Sequence, residues 1–209
     1  MKILIADDHA IVREGVKQIV KTLPEVRQID EASDGKEALS KMMKNSYDLA
    51  ILDISMPEMT GLDVLQHLKN NNIQTRVLML SFHPQEQYAV RAFKLGASGY
   101  LSKDSAFEEL AMAIRKIAQG GKYVSAAFAE KLLFNEVSST NASLHESLSE
   151  REFQVFIMLA KGRSVTEIAN EIFISDKTVA TYRARIMEKM QMTKNAELTI
   201  YALRNKLIE

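Results

Sequence analysis

Short apolar runs alternate with amphipathic stretches through the first 120 residues. Five runs have the length and composition of strands, and they lie at 2–6, 26–32, 49–53, 76–81 and 99–101. Apolar residues recur at three-and-four spacing between these runs, which predicts helices at 11–23, 36–45, 61–70, 88–95 and 105–119. Strand and helix alternate five times, so the pattern predicts an α/β fold with a doubly wound parallel sheet.

The first predicted helix, at 11–23, contains a series of apolar positions. Ile11, Val16 and Val20 belong to a series that continues to Leu23, and Pro24 ends the helix. Val12, Gly15 and Ile19 complete the series at three-and-four spacing.

The pattern changes after residue 121. Residues 122–146 are rich in Ser, Thr and Asn towards their end and predict a linker with a possible short helix at 126–134. From 147 to 209 the pattern is helical only, with helices predicted from Ser149 to Gly162, at 165–172, at 176–190 and at 195–206. The sequence therefore divides into an α/β domain at 1–121, a linker at 122–146 and an all-α domain at 147–209.

Capping boxes mark the predicted start of several helices. In this motif a Ser or Thr at the N-cap and an acidic residue three positions later satisfy free backbone N–H groups. The four pairs are Thr60 with Asp63, Ser105 with Glu108, Ser149 with Glu152, and Ser164 with Glu167.

Charge and composition narrow the classes of function. The 27 basic and 27 acidic residues balance, so no global field points to nucleic acid or to a membrane. There is no cysteine, which excludes disulfides and thiolate chemistry, and the four histidines show no metal-ligand spacing. Without a signal-peptide core or a run of membrane-spanning length, the sequence predicts a cytoplasmic protein that does not enter a membrane.

Polar side chains follow four of the predicted strands. They are Asp7 and Asp8 after the first strand, Asp53 at the end of the third, Ser81 at the end of the fourth and Lys103 after the fifth. All carboxyl ends of a parallel sheet meet at one edge, where open α/β sheets bind their ligands. We therefore expect these side chains to share one crevice.

Three crowded carboxylates stay ionised only beside a cation. Hard oxygen ligands with room for water suit Mg²⁺. The predicted ligands are Asp8, Asp53 and the backbone carbonyl of Ser55, with Asp7 acting partly through water.

A carboxylate beside Mg²⁺ and an ammonium group can attack a phosphoryl group. Asp53 is the predicted nucleophile. Lys103 would pair with the phosphoryl oxygens, and the Ser81 hydroxyl would bond to them after transfer.

The second domain contains a short helix, a turn at 173–175 and a longer helix with a basic exposed face, an order typical of a helix-turn-helix. Base edges lie within reach of Lys177 and Thr181, and small residues beside them would let the helix enter a major groove. The full set of predicted DNA contacts is Lys177, Thr178, Ala180, Thr181, Arg183, Ala184, Arg185 and Lys189, of which Arg183, Arg185 and Lys189 suit phosphates. A helical bundle with ordinary solvated charges is the alternative.

Several motifs of the first domain resemble the receiver domain of bacterial response regulators over residues 1–120. They are Ala6-Asp7-Asp8, the run from Leu52 to Gly61, Leu80-Ser81, the run from Gly96 to Tyr100, and Lys103. The resemblance implies a flavodoxin-like five-stranded sheet, phosphorylation of Asp53 by a sensor histidine kinase, and Ser81 with Tyr100 as a switch pair. One departure is Asp104, where many receivers have proline after the lysine.

The second domain resembles the LuxR-type DNA-binding domain over residues 145–208. The matching segments are 148–152, 167–169, Ser175, 177–179 and 187–190. A receiver joined to such a domain is the NarL/FixJ arrangement. The resemblance implies double-stranded promoter DNA as a partner, transcription regulation, and a homodimer through the last helix when the protein is phosphorylated or bound to DNA.

Two alternatives belong to other classes of protein. An aspartyl-nucleophile phosphatase also uses acidic strand ends, Mg²⁺ and lysine, but it typically has an Asp-x-Asp pair where this chain has Ser55. The other alternative is an interaction protein whose helical domain binds protein or RNA. We expect a regulator and not an enzyme.

Overall fold

The computed structural model describes residues 1–82, 85–104, 106–126, 129, 144–205 and 207–208. The chain forms two compact units, Met1–Glu136 and Val137–Glu209. Within the described residues, no helix combines the length and apolar character needed to cross a membrane.

The first unit is built on a five-stranded parallel sheet with strand order β2-β1-β3-β4-β5. The strands are β1 (Lys2–Ala6), β2 (Gln28–Ala32), β3 (Leu49–Asp53), β4 (Arg76–Ser81) and β5 (Gly99–Ser102). The predicted doubly wound sheet is confirmed. All five residues of β3 are buried, because this central strand has neighbours on both sides and helices over both faces.

Five helices connect and flank the strands. They are α1 (Ala10–Lys21), α2 (Gly35–Lys44), α3 (Gly61–Asn70), α4 (Gln85–Leu95) and α5 (Ala106–Ala118). Helix α3 has the predicted bounds and the predicted capping box, whereas α4 begins three residues before its predicted start. Strand β2 begins two residues late, because the Val26 N–H donates to Leu23 O in the preceding turn.

Ile11 belongs to the apolar series of the first predicted helix but lies outside the core. Its side chain is 90% exposed, whereas Val16 and Val20 of the same helix are buried. At 3.6 residues per turn, position 11 lies roughly 140° from Val16 and about 180° from Val20 around the helix. Ile11 therefore lies on the opposite face, a distinction that apolar character alone does not make.

Residues after α5 return to the free edge of β5. The Tyr100 N–H donates to Tyr123 O, and the Tyr123 N–H donates to Ser98 O. A Cβ at Gly99 would lie 3.1 Å from Tyr123 O, so glycine permits this close approach. The edge of the sheet is thus covered by the chain itself.

The second unit is helical. A 3₁₀ helix at Leu144–Ser147 precedes α6 (Glu150–Ala160), α7 (Val165–Glu171), α8 (Asp176–Lys189) and α9 (Asn195–Arg204). The capping boxes at the starts of α6 and α7 are confirmed. The predicted helix at 126–134, most of the predicted linker, and the Ser105 cap lie outside the described residues.

Candidate functional site

The acidic residues converge where the strand order reverses. Asp7 and Asp8 follow β1, and Asp53 is the last residue of its neighbour β3. Since β1 connects outward to β2 and β3 connects towards β4, this point is the topological switch point of the sheet.

Lys103 lies between two of the carboxylates. Its Nζ is 2.7 Å from Asp7 Oδ2 and 2.8 Å from Asp53 Oδ2. Only 2% of the lysine side chain is exposed. The Lys103 N–H donates to Ser81 O, which fixes the start of the side chain at the end of β4. Residues almost a hundred positions apart thus form one buried ion cluster.

The pocket holds more negative than positive charge. The pKa of Asp53 is raised to about 6, because burial and the neighbouring Asp7 raise it more than Lys103 and the backbone of Ser55 lower it. A single ammonium group therefore does not fully compensate the buried carboxylates. Additional positive charge at this place would favour the ionised form of Asp53.

The pocket also has the donor atoms of a metal site. One ligand atom from each of Asp7, Asp8, His9 and Asp53 lies within 4.8 Å of the others. His9 Nδ1 is 2.8 Å from Asp8 Oδ1, and its side chain is mostly exposed. Three carboxylates close together fit the preference of Mg²⁺ for oxygen ligands. His9 directly follows Asp8, so the sequence predicts it beside the pocket and facing solvent, but it does not predict His9 among the possible metal ligands.

Gly61 allows α3 to begin against the backbone of Asp53. The Gly61 N–H donates to Ile54 O, and a Cβ at this position would lie 2.1 Å from Asp53 O. Thr60 and Asp63 cap the same helix end. Gly61 ends the sequence motif that begins at Leu52, but the motif does not predict this packing against Asp53.

The predicted switch pair lies on one face of the sheet. Ser81 and Tyr100 are both fully buried. Tyr100 pairs in register with Met79, and Ser81 is two residues further along β4. Because side chains alternate along a strand, Ser81 and Tyr100 point to the same face.

The recognition helix α8 exposes most of the predicted DNA contacts. Lys177, Ala180, Thr181, Ala184 and Arg185 are exposed, and Thr178 is half-buried. A shallow cleft of about 340 Å³ is lined by Ser175, Lys177, Thr178, Thr181, Tyr182 and Arg185. The Thr181 hydroxyl donates to Lys177 O, which leaves its oxygen lone pairs as acceptors.

Two predicted phosphate contacts have partners inside the domain. Arg183 Nε donates to Asn195 Oδ1 at 2.9 Å. Lys189 Nζ lies 2.6 Å from Glu152 Oε2, and the side chains of the lysine and the glutamate are 40% and 4% exposed. The sequence predicts only a capping role for Glu152, because its contact with Lys189 forms between α6 and α8 in the tertiary fold.

Comparison with known proteins supplies the family. Residues 3–115 match the response regulator receiver domain, and residues 146–202 match the bacterial regulatory proteins of the luxR family. The chain is 32% identical to the response regulator UvrY of Escherichia coli over 208 residues, which cover 99% of this chain and 95% of UvrY. It is 36% identical to the oxygen regulatory protein NreC of Staphylococcus epidermidis over the full length of both chains.

Solved structures agree in fold. A LuxR-family two-component response regulator from Aurantimonas superposes with a TM-score of 0.60 at 31% identity, covering 63% of this chain and 94% of that chain. The response regulator RcsB of Salmonella typhimurium gives a TM-score of 0.62 at 24% identity, covering 96% and 98%. The chain belongs to the response regulators that join a receiver domain to a LuxR-type DNA-binding domain, the NarL/FixJ arrangement.

Proposed function

We propose that Asp53 accepts a phosphoryl group from a sensor histidine kinase, and that this modification controls binding of residues 147–209 to double-stranded promoter DNA. The observation that carries this proposal is the convergence of Asp53, two further carboxylates and Lys103 in one buried crevice. The phosphoacceptor function would belong to residues 1–121, and 122–146 would link the two functions in a cytoplasmic regulator.

The transfer step needs alignment and charge compensation. An Asp53 carboxylate oxygen attacks phosphorus, and the bond from phosphorus to the donor breaks as the donor leaves with the electron pair. Lys103 is already held 2.8 Å from Asp53 Oδ2, so its ammonium lies where the new phosphoryl oxygens would form. Ser81 would bond to those oxygens afterwards, and Tyr100 would respond on the same face of the sheet.

Asp7, Asp8, Asp53 and the carbonyl of Ser55 would hold Mg²⁺ in this pocket. When bound, the ion neutralises charge on the phosphoryl oxygens and on the crowded acids. The donor set of three carboxylates supports this assignment.

DNA binding would use the exposed face of α8. Lys177, Thr178 and Thr181 line its cleft and would approach base edges, and Arg185 would contact phosphates. Ala180 and Ala184 would allow close approach to the groove. Arg183 and Lys189 are secondary candidates, since each already has an internal partner.

One recognition helix presents a small surface, so two copies would bind together. Ile200 and Leu203 of α9 are large apolar side chains that are about half exposed. This helix supports a homodimer formed on phosphorylation or on DNA.

The test begins with full-length protein, acetyl phosphate and Mg²⁺. Mass spectrometry should find one phosphoryl group on Asp53, and Asp53→Asn should find none. DNA fragments selected from the source genome should then bind the phosphorylated protein more tightly than the unmodified protein at the same salt concentration. An unmodified Asp53 in the wild type would refute the proposal.

A further inference from the structure

Arg13 connects the acidic pocket to strand β2. It is the fourth residue of α1, and its side chain is 19% exposed. Its Nη1 donates to the backbone carbonyl of Asp7 at 2.7 Å, and its Nε donates to Glu31 Oε2 at 3.2 Å. One guanidinium group therefore spans from β2 to the connection after β1, which carries Asp7 and Asp8.

The stability of α1 does not explain an arginine at this position. The N-terminal end of a helix carries partial positive charge, so a basic side chain near it is disfavoured. The first turn of α1 has no acidic residue to offset that charge, and the N-cap residue His9 makes no side-chain cap. The two hydrogen bonds outside the helix, to Glu31 and to Asp7, account for Arg13 instead.

Asp7 is held at each of its polar groups. Its N–H donates to Ala32 O at 3.2 Å, and its carbonyl accepts from Arg13. Of its carboxylate oxygens, Oδ1 accepts from the His9 N–H at 2.8 Å, and Oδ2 lies 2.7 Å from Lys103 Nζ. Among these four contacts, that of Arg13 is made by a side chain from outside the acidic pocket. A substitution of Arg13 can therefore loosen Asp7 without removing a charge from the pocket.

Glu31 holds the other end of the guanidinium group. Its two carboxylate oxygens contact different cations, Oε2 with Arg13 and Oε1 with Lys17 Nζ. These contacts lower the pKa of Glu31, with Lys17 contributing most, against the raising effect of burial. The carboxylate is therefore ionised at neutral pH, and it fixes the orientation of the planar guanidinium.

We propose that Arg13, anchored by Glu31, is a positioning residue for Mg²⁺: by holding the Asp7 carbonyl it fixes the main chain that delivers the carboxylates of Asp7 and Asp8. The inference rests on the proposed function, because these acids are there the Mg²⁺ ligands. Arg13 acts through the main chain and not through its charge. Partners that orient metal ligands in this way typically change metal affinity by about 10–100-fold.

The sign of the effect separates positioning from electrostatics. A positive charge near a cation site repels the cation. If Arg13 acted only through its charge, its removal would strengthen Mg²⁺ binding. If Arg13 positions the ligands, its removal weakens Mg²⁺ binding, because the connection after β1 then samples shapes in which the two carboxylates do not converge.

The test measures Mg²⁺ binding to full-length wild type and to Arg13→Met. Urea denaturation at increasing MgCl₂, with ionic strength held constant by NaCl, gives the dissociation constant from the Mg²⁺-dependent gain in the free energy of unfolding. Arg13→Met should raise this dissociation constant about ten-fold. An unchanged or lower dissociation constant would overturn the proposal. Denaturation without Mg²⁺ measures separately whether each variant is folded.

Lys17→Met is the matched control. It removes an equal charge from the same helix, and this lysine contacts Glu31 and Glu14 instead of the Asp7 carbonyl. Its dissociation constant for Mg²⁺ should equal that of wild type. Equal weakening in Arg13→Met and Lys17→Met would assign the effect to the loss of charge around Glu31 and would overturn the positioning role.

Glu31→Gln tests the anchor, and it is the milder variant if Arg13→Met does not fold. It should weaken Mg²⁺ binding by less than Arg13→Met does, because the hydrogen bond from Arg13 to Asp7 O can persist. The double variant should bind Mg²⁺ no more weakly than Arg13→Met alone, since Glu31 acts through Arg13. An unchanged dissociation constant in Glu31→Gln, or full additivity in the double variant, would contradict the proposal.

The outcomes separate the positioning role from the proposed function. If Mg²⁺ binds wild type and Arg13→Met equally well, the positioning role is refuted and the proposed function stands. If Mg²⁺ does not bind wild type, the assigned ion site falls and the positioning role with it. Phosphorylation of Asp53 is measured separately by mass spectrometry, and its absence in wild type refutes the proposed function.

Discussion

The acidic pocket and helix α8, the proposed recognition helix, are built in opposite ways. The pocket gathers buried charges from the ends of separate strands, from Asp7 to Lys103. The recognition helix exposes its contacts along the single stretch 177–185. Buried charges depend on one another, whereas exposed residues on one helix act more independently. A single substitution should therefore disturb the whole pocket but remove only its own share from the DNA-binding surface.

Lysine–carboxylate pairs show the same contrast at smaller scale. Lys103 is enclosed by two buried carboxylates. Lys189 is partly exposed and contacts Glu152, which is buried. Replacing Lys103 leaves buried carboxylates without their ammonium, whereas neutralising Glu152 leaves only the partly hydrated ammonium of Lys189. Loss of Lys103 should therefore reduce the free energy of unfolding more than loss of the charge on Glu152.

The largest effect is expected for Lys103→Met. This variant leaves Asp7 and Asp53 buried without their ammonium partner, so the free energy of unfolding should fall by about 3 kcal/mol. Urea denaturation of the full-length protein without Mg²⁺ at neutral pH measures this loss. Lys36→Met is the control, because its pair with Glu58 is exposed and its removal should have no measurable effect. Equal stability of the two variants would break the contrast between buried and exposed charges.

Substitutions on α8 should each reduce DNA binding by a different amount, and their effects on sequence discrimination and on overall affinity should be distinguishable. Lys177→Ala should cost roughly 1–3 kcal/mol of discrimination between target and nonspecific DNA, because a base contact is lost. Arg185→Ala should weaken binding to all DNA sequences. It should also reduce, by about 1, the magnitude of the slope of the log binding constant against the log salt concentration.

Fluorescence anisotropy at several KCl concentrations measures both effects. Arg185→Lys is the matched control, since it keeps the charge and should restore most of the slope. An Arg185→Ala variant with an unchanged slope would place the phosphate contacts elsewhere.

Mg²⁺ should stabilise the receiver through its acids. At ten times the dissociation constant, binding to the folded state raises the free energy of unfolding by about 1.4 kcal/mol. Asp8→Asn removes one ligand and should lose most of this gain. Urea denaturation with MgCl₂, matched against NaCl at equal ionic strength, separates binding from screening. A gain retained in Asp8→Asn would count against the acidic pocket as the ion's site.

The smallest effect is expected for Glu152→Gln, which keeps the cap geometry but removes the charge facing Lys189. Burial raises the pKa of Glu152, but contacts with Lys189 and Ser149 lower it more, so the pKa lies below 4.5 in the folded state. The ionised group therefore stabilises the fold above the unfolded pKa, and this contribution is lost as the pH falls below 4.5.

At neutral pH the variant should lose about 1 kcal/mol relative to wild type. Denaturation at neutral and acidic pH should show the difference narrowing on acidification. A difference that grew at low pH would contradict the lowered pKa.

Local patterns determined much of the fold. The bounds of α3 and the capping boxes of α3, α6 and α7 followed from side chains within a few residues of each helix start. The parallel sheet followed from buried runs alternating with helices, and its shared edge indicated which polar residues would meet. Ile11 shows the limit of apolar periodicity, because an apolar residue at the end of a helix can face away from the core.

Contacts between distant segments were decided only by the tertiary structure. These include the ring of Phe82 beside Lys103, the return of Tyr123 to β5, and the pair of Glu152 with Lys189. None lies within a helical turn or strand repeat, so no periodicity reports it. The sequence by itself determined which polar groups meet at the edge of the sheet, because local patterns determine the strands that end there. Distances, burial and pKa shifts were decided by packing, because they depend on which distant atoms exclude water from each charge.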